Sequence, residues 1–178
     1  AITRSLADLV ARFHIAMSRR SVVVSRPVKP ATTATVDAWV QRARSLLDEA
    51  VAITSGAEGE RLRARVEPIR SAVDVIGSSG GTTTMPIHGD LHVGQILRSG
   101  TRYALNDFDG NPVLPADERG ALQSPARDVA GMVQSLDHVG RVVIKRVDGV
   151  DAAKVEEWIT PAQVAFVREY RTLLAQAG

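Results

Sequence analysis

His88-Gly89-Asp90-Leu91-His92-Val93-Gly94-Gln95, followed by Asn106-Asp107-Phe108-Asp109-Gly110, is the part of this sequence whose reading decides the fold. Between the two segments lie Gln95-Ile96-Leu97-Arg98 and Arg102-Tyr103-Ala104-Leu105. Both have strand composition, and Ser99-Gly100-Thr101 between them is a hairpin-sized turn. Folding that ribbon back brings Asp90, ahead of it, and Asp107, behind it, to one end. Gln95 stands at the hairpin's entry and can point its amide oxygen the same way. Two carboxylates and an amide are hard oxygen ligands, suited to Mg²⁺ rather than to a soft metal. Phosphoryl transfer needs such a set: one carboxylate to orient an acceptor hydroxyl, and groups that hold Mg²⁺ on the phosphates. Either aspartate alone would mean little; the pair around a hairpin carries the reading.

Outward from this centre the periodicity is helical. Upstream, Leu6, Leu9, Val10, Phe13 and Met17 share one face of a helix predicted over residues 3–18, with Thr3 or Ser5 as its cap. Residues 18–34 read as a connection. Val36, Trp39, Val40, Ala43, Leu47 and Val51 form a second stripe, and Leu62, Val66, Ile69, Val73 and Ile76 a third. Thr54-Ser55-Gly56 between them predicts an antiparallel helical hairpin, broken after Ile76 by Ser78-Ser79-Gly80-Gly81. Met85-Pro86-Ile87 is a short extended run into the first loop. Residues 110–125, with three prolines, read as a loop. A helix is expected from Pro125 or Ala126, with Val129, Met132, Val133 and Leu136 inward and Gly140 or Gly149 as its end. The last helix is expected from Thr160-Pro161, burying Val164, Val167, Tyr170, Leu173 and Leu174. The fold class is therefore mainly α with a small β-hairpin (α+β).

Composition narrows the function classes. Of 178 residues, 44% are hydrophobic and 24% charged, which is globular rather than disordered. Net charge is only +2 and aromatics only 4%, without a dense basic run, so a nucleic-acid partner is not expected. With no cysteine there are no disulfides, thiolate metal sites or cysteine nucleophile. No apolar run approaches the about 18 residues of a spanning helix, so no membrane partner is expected and a cytoplasmic enzyme fits.

His88-Gly89-Asp90, Gln95 five residues after that aspartate, and Asp107-Phe108-Asp109 resemble the catalytic and metal loops of the protein-kinase-like fold in its aminoglycoside-phosphotransferase form. Ser124-Pro125-Ala126-Arg127-Asp128-Val129-Ala130-Gly131-Met132 adds to this. With HGDLHVGQ and DFDGNP it is similar to the actinobacterial maltokinases and related glucosamine kinases. DFDGNP and Ser135-Leu136-Asp137-His138 lean toward the glucosamine-kinase branch, and Ala11-Arg12-Phe13-His14 is similar to an early helix of that family's C-terminal lobe. The resemblance is specific over roughly a third of the chain.

It implies the helical C-lobe of a protein-kinase-like phosphotransferase, with catalytic and metal loops within residues 85–128. ATP and Mg²⁺ are the implied cofactors, and a sugar or aminosugar, glucosamine or maltose, the acceptor. Asp90 would orient or accept the hydroxyl proton, while Asp107 binds Mg²⁺ and Gln95 assists. Asp109 would bind metal or brace its loop. His88 would brace the catalytic loop; Asp128 would cap amides or tie that loop down, with Arg127 pairing nearby. His92, Asp137 and His138 are substrate candidates, whereas His14 reads as a satisfied core histidine. Glu156, Glu157 and Trp158 read as an exposed linker with one buried ring rather than a sugar clamp.

A complete kinase of this type also needs a nucleotide lobe with a phosphate-covering loop and a lysine. No Gly-rich strand-turn-strand precedes the first helix, and the lysines are Lys29, Lys145 and Lys154. The chain also opens at Ala1 inside an amphipathic pattern. The expectation is a C-lobe fragment, residues 1–178, whose N-terminal nucleotide lobe belongs to the same parent protein. The rivals are an aminoglycoside phosphotransferase, expected to carry asparagine at position 95, and a non-catalytic pseudokinase-like module, which retention of both aspartates opposes. A metal-dependent phosphohydrolase would need a further His/Asp cluster that the sequence does not display.

Overall fold

A computed structural model describes residues 2–25, 27–78 and 81–177, apart from the side chains of residues 116 and 117. In chain order the elements are α1 (Ile2–Ser18), β1 (Lys29–Pro30), α2 (Thr33–Ile53), α3 (Gly56–Arg63), α4 (Val66–Ser78) and β2 (Thr83–Thr84). A 3₁₀ turn (Val93–Gln95) follows, then β3 (Ile96–Ser99), β4 (Arg102–Leu105), α5 (Ala116–Arg119), α6 (Ala126–Arg146) and α7 (Ala152–Ala177). The fold is mainly α with a small β-hairpin, as the periodicity predicts. It divides into two compact units, Ala1–Val28 with Thr84–Gly178, and Lys29–Thr83.

In the first unit, α1 and α6 both pack on α7. Leu6, Ala7, Val10 and Ala11 of α1, Met132 and Leu136 of α6, and Phe166 and Tyr170 of α7 form one buried cluster with Leu91 of the first site loop. Met132 and Phe166 are fully buried, each worth about 1.5–3 kcal/mol relative to exposure. The hairpin pairs Ile96 with Leu105 and Ser99 with Arg102. Gly100 sits at φ 60°, a conformation that the tight turn requires and a side chain would strain. One further backbone bond, from the N–H of Asn106 to the carbonyl of Gln95 (2.9 Å), closes the ribbon's open end.

Several expectations are corrected here. Thr3 and Ser5 lie inside α1 rather than capping it. α7 begins at Ala152 instead of Thr160, because Asp151 accepts the N–H of Lys154 (3.3 Å) at an earlier start signal. Pro161 therefore sits inside the helix. It deprives only the exposed Glu157 carbonyl of an intrahelical donor, so water can replace the lost bond. Glu156, Glu157 and Trp158 are thus helical, not linker, and the Trp158 ring expected to be buried is 38% exposed. Val164 points outward at 57% exposure, and Phe166 takes the inward position that was assigned to it. Gly140 does not end α6: a Cβ there would lie 2.7 Å from Ile159, so this glycine allows α6 and α7 to approach. The helix ends at Arg146, with Val147 already extended, shortly before Gly149 at φ 74°. The expected loop at 110–125 contains α5, and Arg119 ties it by donating to the carbonyls of Leu114 (2.8 Å) and Pro112 (2.9 Å).

In the second unit, Thr32 caps α2 by accepting the N–H of Thr35 (3.1 Å). Val36, Val40 and Leu47 are its buried residues. Arg44 pairs with Asp74 (2.6 Å) and Asp48 with Arg70 (2.8 Å). Because residue numbers rise on α2 as they fall on α4, the two helices run antiparallel, as predicted. The third stripe, however, is divided between α3 and α4 at Ala64-Arg65. Pro68 explains the break, since it has no N–H for the carbonyl of Ala64 and its ring would collide with that oxygen in a continuous helix. In the first turn of α4 the same proline is harmless. The predicted break over 78–81 falls partly outside the described residues.

Candidate active site

All the residues that the sequence singled out for chemistry lie in the first unit. Gly89 adopts φ 84°, which turns the chain sharply between His88 and Asp90. The turn is held from outside by Asp128, in the first turn of α6 and only 1% exposed. Its Oδ2 accepts the N–H of His88 (2.8 Å) and its Oδ1 the N–H of Gly89 (2.9 Å). Oδ2 also meets Nε2 of His14 at 3.1 Å, and Nδ1 of His14 meets the Tyr170 hydroxyl at 2.7 Å. His14 is a satisfied core histidine, as expected.

The His88 ring, 1% exposed, braces the same loop. Its Nε2 bonds the carbonyl of Asn106 (2.9 Å), and its Nδ1 accepts the N–H of Asp90 (3.4 Å). One imidazole thus ties Asp90 to the residue before Asp107. α6 approaches so closely that a Cβ on Gly131 would lie 2.5 Å from the carbonyl oxygen of Leu91. Ser135, further along α6, accepts the N–H of Val93 (3.0 Å).

On the hairpin side, the Gln95 amide donates to Oδ2 of Asp107 (3.4 Å). Asp107 has φ 62° and is the non-glycine residue with positive φ among those described. A left-handed aspartate costs about 1–2 kcal/mol, tolerated where the surroundings impose it. Phe108, 56% exposed, sets its ring 5.2 Å from that of His88 and 5.6 Å from that of Phe13. Asp109 is exposed. The pairing of Gln95 with Asp107 suits a hard cation: both can present oxygen once the amide turns over. Among the described residues no group of three or more His, Cys, Asp or Glu could form a closed cage. Mg²⁺ fits that arrangement, because it commonly takes one or two protein carboxylates and fills its remaining positions with water and phosphate oxygens.

A cleft of about 680 Å³ opens beside the first loop, lined by Asp90, His92, Asn111, Arg127, Gln134 and His138 among others. His92 caps the 3₁₀ turn through Nδ1, which accepts the N–H of Gly94 (3.0 Å), and its Nε2 lies 3.9 Å from Asp90. His92 and His138 therefore share a cleft with Asp90. Asp137 does not: both its oxygens engage Arg141 (2.7 and 3.0 Å) one helical turn on. Arg127 pairs with the Gln123 side chain rather than with Asp128, whose oxygens are occupied by the loop amides and His14. Asn111, Gln134 and Ser135 were missed as site residues. For Gln134 a signal existed, since Arg127, Gly131, Gln134 and His138 recur at helical spacing on one face. The place of Tyr170 in the buried chain left no local signal.

This is a mainly α domain in which the His88 ring ties the loop of Asp90 to the end of the hairpin before Asp107, and comparison with known proteins adds the particular likeness. No protein-family model matches the chain. It is 52% identical over 171 residues to a glucosamine kinase of Streptacidiphilus jiangxiensis, covering 96% of this chain and 38% of that protein. It is 37% identical over 174 residues to a glucosamine kinase of Mycolicibacterium smegmatis, covering 98% and 43% respectively. Among solved structures it matches a glucosamine kinase in complex with glucosamine, ADP and inorganic phosphate, with TM-score 0.89 and 51% identity. That match covers 98% of this chain and 43% of the solved one. The chain thus spans about two-fifths of the length of these relatives. No described helix is long and apolar enough to cross a membrane.

Proposed function

We propose that this chain carries the acceptor and metal half of an ATP- and Mg²⁺-dependent kinase that phosphorylates a sugar hydroxyl, with glucosamine as the favoured acceptor. The observation that carries the reading is Asp90 on the wall of a cleft that also presents His92, Gln134 and His138, on a loop fastened through two backbone amides to Asp128. The likeness to glucosamine kinases supports the choice of acceptor. In this reading the nucleotide-covering lobe belongs to sequence beyond these 178 residues, and a cytoplasmic location follows from the use of ATP.

Asp90 receives the acceptor hydroxyl and points its lone pair at the phosphorus; in a loose transition state this orientation matters more than strong basicity. The proton passes to its carboxylate as the new O–P bond forms and the bond to the leaving diphosphate breaks. Asp107 and Gln95 would hold Mg²⁺, with Asp109 as a further ligand or loop support. When bound, the ion neutralises charge on the phosphates. His92 and His138 offer ring nitrogens to sugar hydroxyls from the same cleft wall.

The test is a coupled assay of ATP consumption by the full protein carrying this chain, against glucosamine, maltose, glucose and kanamycin. Glucosamine is expected to give the highest kcat/KM. Preference for maltose or kanamycin would transfer the reading to the maltokinase or aminoglycoside-kinase type. Asp90→Asn is expected to lower kcat by at least roughly 10²-fold, the scale of general-base and positioning effects; unchanged turnover would refute the assignment.

A further inference from the structure

The buried chain from Tyr170 through His14 to Asp128 joins α7, α1 and α6, and it ends on the backbone of the loop that presents Asp90. Tyr170 is 6% exposed, His14 2% and Asp128 1%. Asp128 can only accept hydrogen bonds when ionised, so the nitrogen of His14 that faces it, Nε2, must carry a proton. The other nitrogen, Nδ1, is then an acceptor in the neutral ring, and the group facing it is the Tyr170 hydroxyl at 2.7 Å. Burial, then the negative charge of Asp128, pushes the Tyr170 phenol up to about 12, so the hydroxyl keeps its proton to donate. The ring of Tyr170 stacks beside Phe166 with centroids 6.4 Å apart, which is ordinary core packing. Its hydroxyl is the polar atom that packing alone does not require.

We propose that Tyr170 is a positioning residue for Asp90: by donating to Nδ1 its hydroxyl holds the His14 ring, in the Nε2–H form that Asp128 requires, where it gives Asp128 the third hydrogen bond that locks its carboxylate onto the amides of His88 and Gly89. The proposal rests on the reading of Asp90 as the catalytic carboxylate. It also makes the α7 helix a determinant of turnover, although Tyr170 is not among the residues lining the cleft.

The experiment uses the full protein carrying this chain, with histidine rings labelled with ¹⁵N. In the unaltered protein at neutral pH, NMR is expected to find His14 protonated at Nε2 and bare, hydrogen-bonded, at Nδ1. A proton on Nδ1, in the other tautomer or in the imidazolium, overturns the proposal and needs no variant. Tyr170→Phe keeps the ring and removes only the hydroxyl. The Nδ1 resonance is expected to move toward that of an unbonded ring nitrogen. Hydrogen exchange at His88 and Gly89 should speed up roughly fivefold relative to Met132 and Leu136, the scale of one ordinary hydrogen bond. Over the same change kcat should fall roughly fivefold with KM unchanged. Unchanged loop exchange and unchanged kcat overturn the proposal. Failure of the catalytic reading shows separately, as full turnover by Asp90→Asn with the His14 tautomer as expected.

Discussion

Replacing Asp128 by asparagine changes one atom of the site's main anchor, and its cost can be worked from the structure. The carboxylate accepts from His88 N–H and His14 Nε2 on one oxygen and from Gly89 N–H on the other. In Asp128→Asn one of these positions becomes an NH₂ group. Placed on the Gly89 side, it faces a backbone donor, leaving that buried N–H unmet at about 1–3 kcal/mol. The two surviving bonds lose their charge assistance, about 1 kcal/mol each. Burying a neutral amide instead of a carboxylate returns about 1–2 kcal/mol. The net expectation is a loss of about 1–4 kcal/mol, borne by the first unit. For a chain of this length about 3 kcal/mol lowers Tm by roughly 6–12 °C. The assay is thermal unfolding followed together with hydrogen exchange, which assigns the loss to the loop: Gly89 should lose protection before the interior of α6 does. A drop below about 0.5 kcal/mol, or unchanged protection at His88 and Gly89, would refute the reasoning that this carboxylate fastens the loop.

Gly131→Ala should disturb the same loop from the other side, because the new Cβ would meet the Leu91 carbonyl at 2.5 Å. Overpacking of about 1–3 kcal/mol outweighs the gain of about 1 kcal/mol in helix propensity, so urea unfolding should show a lower midpoint and the coupled assay a lower kcat. Gly140→Ala meets the flexible end of Ile159 instead and should be milder in the same measurement. Tyr170 predicts an alkaline limit. Its phenol is held neutral in the fold, so the stabilisation is complete below the ordinary tyrosine value near 10 and is lost as pH rises toward about 12. Phenolate absorbance should contain a step near 12 that Tyr170→Phe removes. Asp107→Asn should raise the Mg²⁺ concentration for half-maximal turnover at least roughly tenfold, since even a partner that only orients a metal ligand is worth about 10–100-fold; an unchanged Mg²⁺ dependence would exclude Asp107 as a ligand. The 178-residue chain by itself is expected not to turn over ATP with glucosamine, and robust turnover would overturn its reading as half of a site.

Much of the fold was legible because its signals are local. Apolar periodicity gave α1, α2 and α6, and the turn at Ser99-Gly100-Thr101 gave the hairpin, since each depends on neighbours a few residues away. The misread boundaries also have local causes that were ranked wrongly. Thr160-Pro161 has the form of a helix start although Asp151 starts α7 earlier, and Pro68 forces a break before α4 that apolar periodicity does not register. Gly140 was read as a stop because a glycine that ends a helix and one that admits a neighbouring helix look alike in sequence.

For the candidate site the division is similar. The sequence by itself determined that His88-Gly89-Asp90 and Asp107 flank one hairpin with Gln95 at its entry, because a two-residue turn leaves the strands a single register. Only the tertiary structure decided what holds Asp90 in place. His14 meets Asp128 across 114 residues and Tyr170 across 156. A helical period says which face of each helix turns inward, but not which inward residues of three helices meet. That choice is made when the helices pack and every buried donor and acceptor must find a partner, and it is how a core histidine and a core tyrosine come to stand behind the loop that opened the reading.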